Sequence, residues 1–383
     1  MKITSEKPNL RARLSAWYAL CPVAHTAALV SLALIALFVA VRSNGALMAR
    51  ISKGVVRPIH GFLSRLTAHV PFSVAELIIA LLVAAVLARI VIALLRLARG
   101  KASGRGVYRL AAQLLSLGVT VYAGYCLMWG VYYYGDDFLT QSGLTADPIT
   151  TEELEAVTRY FADLSNEYGA EVTRNEAGLY VCDRAAVLAR SASLYENTVD
   201  EFPCLAGADV AAKGMIASRV MSYIDFTGFF FPFTAEANVN TDFPPALFAS
   251  TVAHELAHQR GVAKEQEANF VAVLASLRSH DADYRYSAAL LAYTHLGNAL
   301  HSADYAAWEE VYHSLDEAVR RDLSLNNAYW RQFDTPVQTV SNTVYEGFLQ
   351  SYDQTLGMKS YGACVDLLVN YYYPRLENSP PLT

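Results

Sequence analysis

Three runs of uncharged, mostly aliphatic residues in the first third of the chain constrain its fold more than any other feature. No Asp, Glu, Lys or Arg interrupts Leu14 to Val41, and Ala27 to Val41 is almost purely aliphatic. Leu77 to Leu95 is aliphatic apart from Arg89, and between Arg109 and Asp136 no side chain is charged. A helix needs about 20 apolar residues to cross roughly 30 Å of hydrocarbon. Each run meets that length, so transmembrane helices are expected at about 21–42, 73–96 and 109–134. The second opens with 73-SVAE-76, a serine followed three residues later by glutamate, the pattern of a capping box. The whole chain is correspondingly poor in charge, 17% where a soluble domain carries about a quarter.

Lys2, Lys7, Arg11 and Arg13 precede the first run as a signal peptide's basic region would. Its apolar core is longer than the roughly 7–15 residues of such a leader, so an uncleaved span is expected. Lys and Arg near the spans set orientation. Arg96, Arg99, Lys101, Arg105 and Arg109 crowd the second connection, while Asp136 and Asp137 follow the third run. The simplest solution puts the N-terminus and second connection inside the cytoplasmic membrane and everything after Gly135 outside. Arg50, Lys53, Arg57 and Arg65 in the first connection pull the other way. That connection, 55-VVRPIHGFLSRLTAHVPF-72, mixes apolar and basic residues and suits the headgroup region.

The chain therefore divides into a membrane domain, 1–143, and an extracytoplasmic domain, 144–383. The second part reads as mostly helical. In 150-TTEELEAVTRYFADLSNEYG-169, Thr150 and Glu153 form a capping box and Gly169 is the expected stop. Residues 223–240, aromatic and interrupted by Pro232, lack helical period and suggest a strand or extended element. With a net charge of -6 and no basic patch in the outer part, a nucleic-acid partner is not expected. Five cysteines make no disulfide framework, although Cys182 and Cys204 would be free to pair on an oxidising side.

The chemistry is concentrated in 251-TVAHELAHQRGVAKEQEANF-270. Pro244 and Pro245 start a helix and Gly261 can end it. At about 100° per residue, Leu247, Thr251, His254 and His258 share one stripe, with Glu255 one step aside. This is H-E-x-x-H: two imidazoles one turn apart reach a single metal ion, and the glutamate overlooks it as a base for water. A solvated helix would carry charges where this one has Ala253, Leu256 and Ala257, so the helix is buried, and buried histidines need partners.

A catalytic zinc, one per chain, takes three protein ligands and leaves a fourth position open. Along a straight helix Glu265 would lie about 10 Å beyond His258, so the chain must turn back at Gly261, with a second helix over 264–279. Periodicity leaves Glu265 and Glu267 both open as third ligand. Glu265 shares a face with Asn269, and Glu267 shares one with Phe270, Val271 and Leu274.

These residues resemble the gluzincin metallopeptidases, which carry H-E-x-x-H on one helix and E-x-x-x-D on a later one. The resemblance implies that His254, His258 and Glu265 bind zinc, with Glu267 as the alternative, and that Asn269, replacing the family's aspartate, orients a ligand histidine. The run Glu265-Gln266-Glu267-Ala268-Asn269 is similar to that of membrane-bound gluzincins related to the prenyl-protein and heat-shock peptidases. The two motifs are closer together here than is usual in gluzincins. It also implies a zincin-like domain in which the element before the metal helix is an edge strand for substrate, and on such a strand the period of two would turn Asn238 and Asn240 to the cleft. More of the chain resembles a bacterial family known as domain of unknown function 3810, on its three spans, 230-FFPFTAEANVN-240, HELAHQRG followed by EANF, and 357-GMKSYG-362.

The expected reading is peptide hydrolysis by zinc-activated water, with Glu255 as general base and Tyr361 or His295 as donor to the oxyanion. The partners would be a peptide or protein substrate and the lipid bilayer. The alternative is a catalytically silent, zinc-stabilised membrane sensor or scaffold. A transporter is disfavoured because no acidic or paired ionisable residue lies deep within the spans.

Overall fold

In the computed structural model, which describes residues 9–101, 103–352 and 361–377, helices dominate. Three are long and apolar enough to cross a membrane: Pro22–Val41, Val74–Ala98 and Gly104–Tyr133. The first and third lie side by side. His25 Nε2 is 2.8 Å from the Tyr108 hydroxyl, Ser31 and Thr120 hydroxyls pair at 3.1 Å, and Phe38 packs at Gly130. The second span stands apart, with none of its most apolar window buried. It meets the third through a hydrogen bond from Arg89 to Gln113.

Ser73 Oγ accepts from Glu76 N–H at 2.9 Å, but the reciprocal half of the expected capping box does not form. The Glu76 carboxylate accepts instead from the backbone N–H groups of Ile216 and Ala217, at 2.9 and 2.6 Å. Glu236 supplies the missing cap, accepting from Val74 and Ala75 N–H at 3.1 and 2.8 Å. A carboxylate at a helix N-terminus satisfies orphan donors and complements the dipole.

The first connection is helical, Gly45–Ile51 and Arg57–Ala68 around a wide turn. Two of its basic residues, Lys53 and Arg57, are bound by the later part of the chain. Arg57 donates to the carbonyls of Cys204, at 2.6 Å, and Ala206, and Lys53 pairs with Asp136 at 2.6 Å. This connection thus meets described residues of the later chain at one end of the three apolar helices, while the turn at residues 99–101 lies at the other end.

The later residues share one hydrophobic core, running from Phe138 to Tyr371, through the helices Thr151–Glu171, Phe248–Gln259, Glu265–Leu277, Ala282–Ala303 and Tyr361–Glu377. Thr150 and Glu153 make both bonds of their capping box. The helix runs two residues past the expected stop, because Gly169 is packed against Tyr286 and Val319 instead of ending it. A buried network ties this layer together: Asp322 accepts from Arg174 at 2.9 Å and from the Tyr286 hydroxyl at 2.6 Å. A second, smaller core joins Phe38, Met48, Val56, Cys126 and Val131 to Tyr352. All five cysteines are free, so Cys182 and Cys204 do not pair.

Residues 223–240 contain the strands expected there. With β1 (Lys213–Gly214), β2 (Gly228–Phe231) and β3 (Glu236–Val239), the sheet order is β1-β3-β2. β1 runs parallel to β3, and β2 runs antiparallel with Phe229 opposite Asn238. The strand nearest in sequence to the histidine helix is thus the middle strand, and β2 is the edge.

Candidate metal centre

The histidine helix spans Phe248–Gln259 behind a tight turn at Pro245–Leu247. Its small residues Ala249, Ala253 and Ala257 are buried, which lets neighbouring helices approach closely. The chain reverses at Gly261, whose φ of +89° favours glycine. Val262 N–H bonds back to Ala257 O at 3.1 Å, closing the helix end. The reversal sends Glu265–Leu277 back alongside the histidines.

This hairpin brings His254, His258 and Glu265 together, with one donor atom from each within 4.8 Å of the others. Glu265 Oε2 is 3.2 Å from His254 Nε2 and 3.7 Å from His258 Nε2. Ligands on bonds of about 2.0–2.1 Å at tetrahedral angles lie about 3.3 Å apart, so the spacing fits a small cation. The far ring nitrogens are fixed as well. His258 Nδ1 is 2.7 Å from the Val262 carbonyl, which can only accept, so this nitrogen carries the hydrogen. His254 Nδ1 is 2.8 Å from Asn269 Oδ1. Bonds of this kind orient a ligating imidazole and set its tautomer.

The local field draws positive charge. Burial opposes a proton on His258, but the Glu265 carboxylate outweighs it and raises the imidazole to about 9. Burial likewise opposes charge on Glu265, yet the two imidazoles hold it well below the usual carboxylate range. The same attraction would act on a metal cation as it does on a proton.

Glu255 lies buried beside this cluster, and among the described residues its Oε2 has no hydrogen-bond partner. Burial lifts its carboxyl to about 7 against the pull of His254 and His258. It presses on the edge strand: a Cβ at Gly228 would lie 2.5 Å from Glu255 Oε1. All four residues line a cleft of about 710 Å3, bounded by Thr227 and by Gly228, Phe229 and Phe230 of β2, by Tyr125, Trp129 and Tyr133 of the third span, and by Asn342, Tyr345 and Leu349 of the helix Pro336–Ser351.

Other expected residues fall out differently. Glu267 faces away from the histidines. It accepts from Phe138 N–H at 2.8 Å, lies 3.7 Å from Lys264, and burial raises its carboxyl to about 7. Asn238 and Asn240 do not face the cleft. Both are fully buried, Asn238 on the middle strand and bonded to Ser73 at 2.6 Å, Asn240 just past its end and bonded to Ser222 at 2.9 Å, and neither lines the cleft. His295 does line the cleft, and burial, then the neighbouring His254, lowers it to about 4 and keeps it neutral. Tyr361 begins the last helix, but its side chain and most of 357-GMKSYG-362 lie outside the described residues.

Tyr345 is a site residue that the sequence did not point to. Its hydroxyl donates to Glu265 Oε1 at 2.9 Å, and burial, then Glu265, keep it protonated. It sits 80 residues from its partner in no motif, and only its alignment with Asn342 and Leu349 on one helical stripe hinted that it points inward.

The family described as "Protein of unknown function (DUF3810)" matches residues 51–369, and the chain belongs to that family. Neither the curated proteins nor the solved structures yield a match.

Proposed function

We propose that this protein is a membrane-anchored zinc metallopeptidase of gluzincin type, with its zincin-like domain outside the bacterial cytoplasmic membrane. One observation carries the reading. Two imidazoles with their outer nitrogens pinned, and one carboxylate, converge at ligand spacing on the wall of an open cleft, next to a buried glutamate with one oxygen unpartnered among the described residues. Two histidines and one carboxylate are the donor set of zinc hydrolases, and a purely structural zinc takes four protein ligands. Among the described residues three converge, and Glu267 does not close the fourth position.

Bound zinc supplies a Lewis acid that polarises a peptide carbonyl and acidifies water. The chain's residues do the rest. His254 and His258 bind as neutral imidazoles, with Asn269 and Val262 holding their rings. Glu265 completes the set, and Tyr345 steadies its other oxygen. Glu255 takes the proton of the attacking water and hands it to the leaving amine. The free edge of β2 pairs with an extended substrate backbone. His295, neutral and in the cleft wall, donates to the developing oxyanion.

The test is elemental analysis of detergent-purified protein, alongside hydrolysis of a quenched fluorescent peptide library. One zinc per chain is expected in the wild type, lost in His258→Ala and Glu265→Gln and retained in Glu267→Gln and Glu255→Gln. Hydrolysis should vanish in Glu255→Gln although its zinc remains. A folded wild type without zinc overturns the reading. Zinc without any hydrolysis dependent on Glu255 favours the silent scaffold.

A further inference from the structure

Two elements on the outside of the cleft carry apolar stripes that the rest of the described chain leaves uncovered. On Pro336–Ser351, Val337, Val340 and Val344 recur at i, i+3 and i+7 and are 56%, 64% and 67% exposed. On and just before the helix Ser218–Tyr223, Ile216, Val220 and Tyr223 recur at i, i+4 and i+7, exposed by 86%, 61% and 47%. The elements are neighbours: Ser341 donates to Ile224 O at 2.8 Å and Asn342 to Asp225 at 2.9 Å. Exposed apolar residues normally occur singly, and rows of them mark a partner.

What the rows are fastened to indicates that partner. Ile216 N–H is bonded to Glu76 at 2.9 Å. The apolar run of the second span begins with the next residue, Leu77, and ends at Leu95, about 28 Å at 1.5 Å per residue, close to the thickness of the hydrocarbon. Glu76 therefore marks the hydrocarbon boundary, and Ile216 lies at it. At the other end, the Phe348 ring packs 5.2 Å from that of Tyr125, and the Tyr352 hydroxyl is 3.4 Å from Cys126 Sγ. Counting about 20 residues of hydrocarbon from Leu110 reaches Trp129. Tyr125 thus belongs to the outer edge of the hydrocarbon, and Val344 is one turn from Phe348. Phe233, over Gly124, lies at the same depth.

We infer that these two stripes form a lipid-docking surface, seated in the headgroup–acyl boundary of the leaflet from which the spans emerge. The inference rests on the spans and not on the peptidase chemistry. Composition suits the position: Pro336–Ser351 has Glu346 as its sole charged residue, and Tyr223 is an interfacial residue type. The docked helix is also a wall of the cleft, since Asn342, Tyr345 and Leu349 occupy its other face. Lipid contact on one face thereby bears on the Glu265 partner on the other.

The test uses full-length protein in lipid nanodiscs, with Cys182 and Cys204 changed to serine and one nitroxide label at a time on Val340→Cys, Val344→Cys or Val220→Cys. Glu176→Cys, in an exposed turn, is the control. Collision rates with lipid-soluble oxygen and a water-soluble nickel chelate are compared. The docking surface predicts an oxygen-to-nickel ratio at least several-fold above the control at all three positions. A ratio equal to the control's overturns the inference. Protection from both reagents with label-to-label broadening overturns it too, because a second copy would then cover the stripes.

Discussion

The second span and the histidine helix are made of similar residues and end in opposite surroundings. Val74–Ala98 is a run of Leu, Ile, Val and Ala, yet Leu81, Leu87 and Leu94 are more than half exposed, and Ala75 alone is buried. Phe248–Gln259 carries the same small and aliphatic types, and ten of its twelve residues are buried. The difference teaches how each helix meets its solvent. A helix bathed in lipid needs apolar groups all round and no tight neighbours. A helix inside a protein core needs small residues where partners cross, and it can hold histidines only where they find partners.

Two buried histidines repeat the contrast. His258 is raised to about 9 by Glu265 in spite of burial. His60, on the first connection, has no carboxylate at hand, and burial lowers it to about 4 against a backbone bond to Pro232. A histidine facing a carboxylate attracts a cation, while one facing apolar groups repels it.

The comparison breaks most visibly under one substitution made twice. Leu256 is fully buried on the histidine helix, so Leu256→Ala is expected to cost about 2–5 kcal/mol, seen as a lowered thermal midpoint in detergent. If that cost is absent, the helix is not a core element. The next largest effect is the pH response of His60. Its value lies below that of the unfolded chain, about 6.5, so the folded protein binds the proton less readily. Its contribution to stability should be level above pH 6.5 and fall as pH drops toward 4, by about 3 kcal/mol in all. His60→Gln should flatten that part of the pH profile, and an unchanged profile would assign it to other groups. The smallest effect is the counterpart of the first: Leu81→Ala, on the exposed second span, should change stability in lipid by no more than about 0.5 kcal/mol. A large loss there would reveal a partner for that span.

Much of this was legible because it is local. The spans follow from composition, and the Thr150 cap and the histidine spacing follow from patterns a few residues long. The turn at Gly261 followed from a single residue able to adopt positive φ. The expected cleft strand failed for a non-local reason: β1, whose residues lie 25 positions upstream of their partners, takes the outer side of β3 and makes it central, burying Asn238. The capping box at Ser73 failed similarly, because Glu76 found backbone donors at Ile216 and Ala217. No pattern near Arg57 could announce that its charge is spent on Cys204 and Ala206.

By itself, then, the sequence determined three apolar helices, a helical remainder, and two histidines one turn apart with a glutamate between them, because a helix repeats within four residues and its periodicity is written along the chain. Only the tertiary structure decided between Glu265 and Glu267. Two positions apart, they point about 200° from each other around one helix, and which of them meets the histidines depends on how that helix is rolled against its neighbour. The same holds for Tyr345, which reaches Glu265 across 80 residues of chain by packing alone.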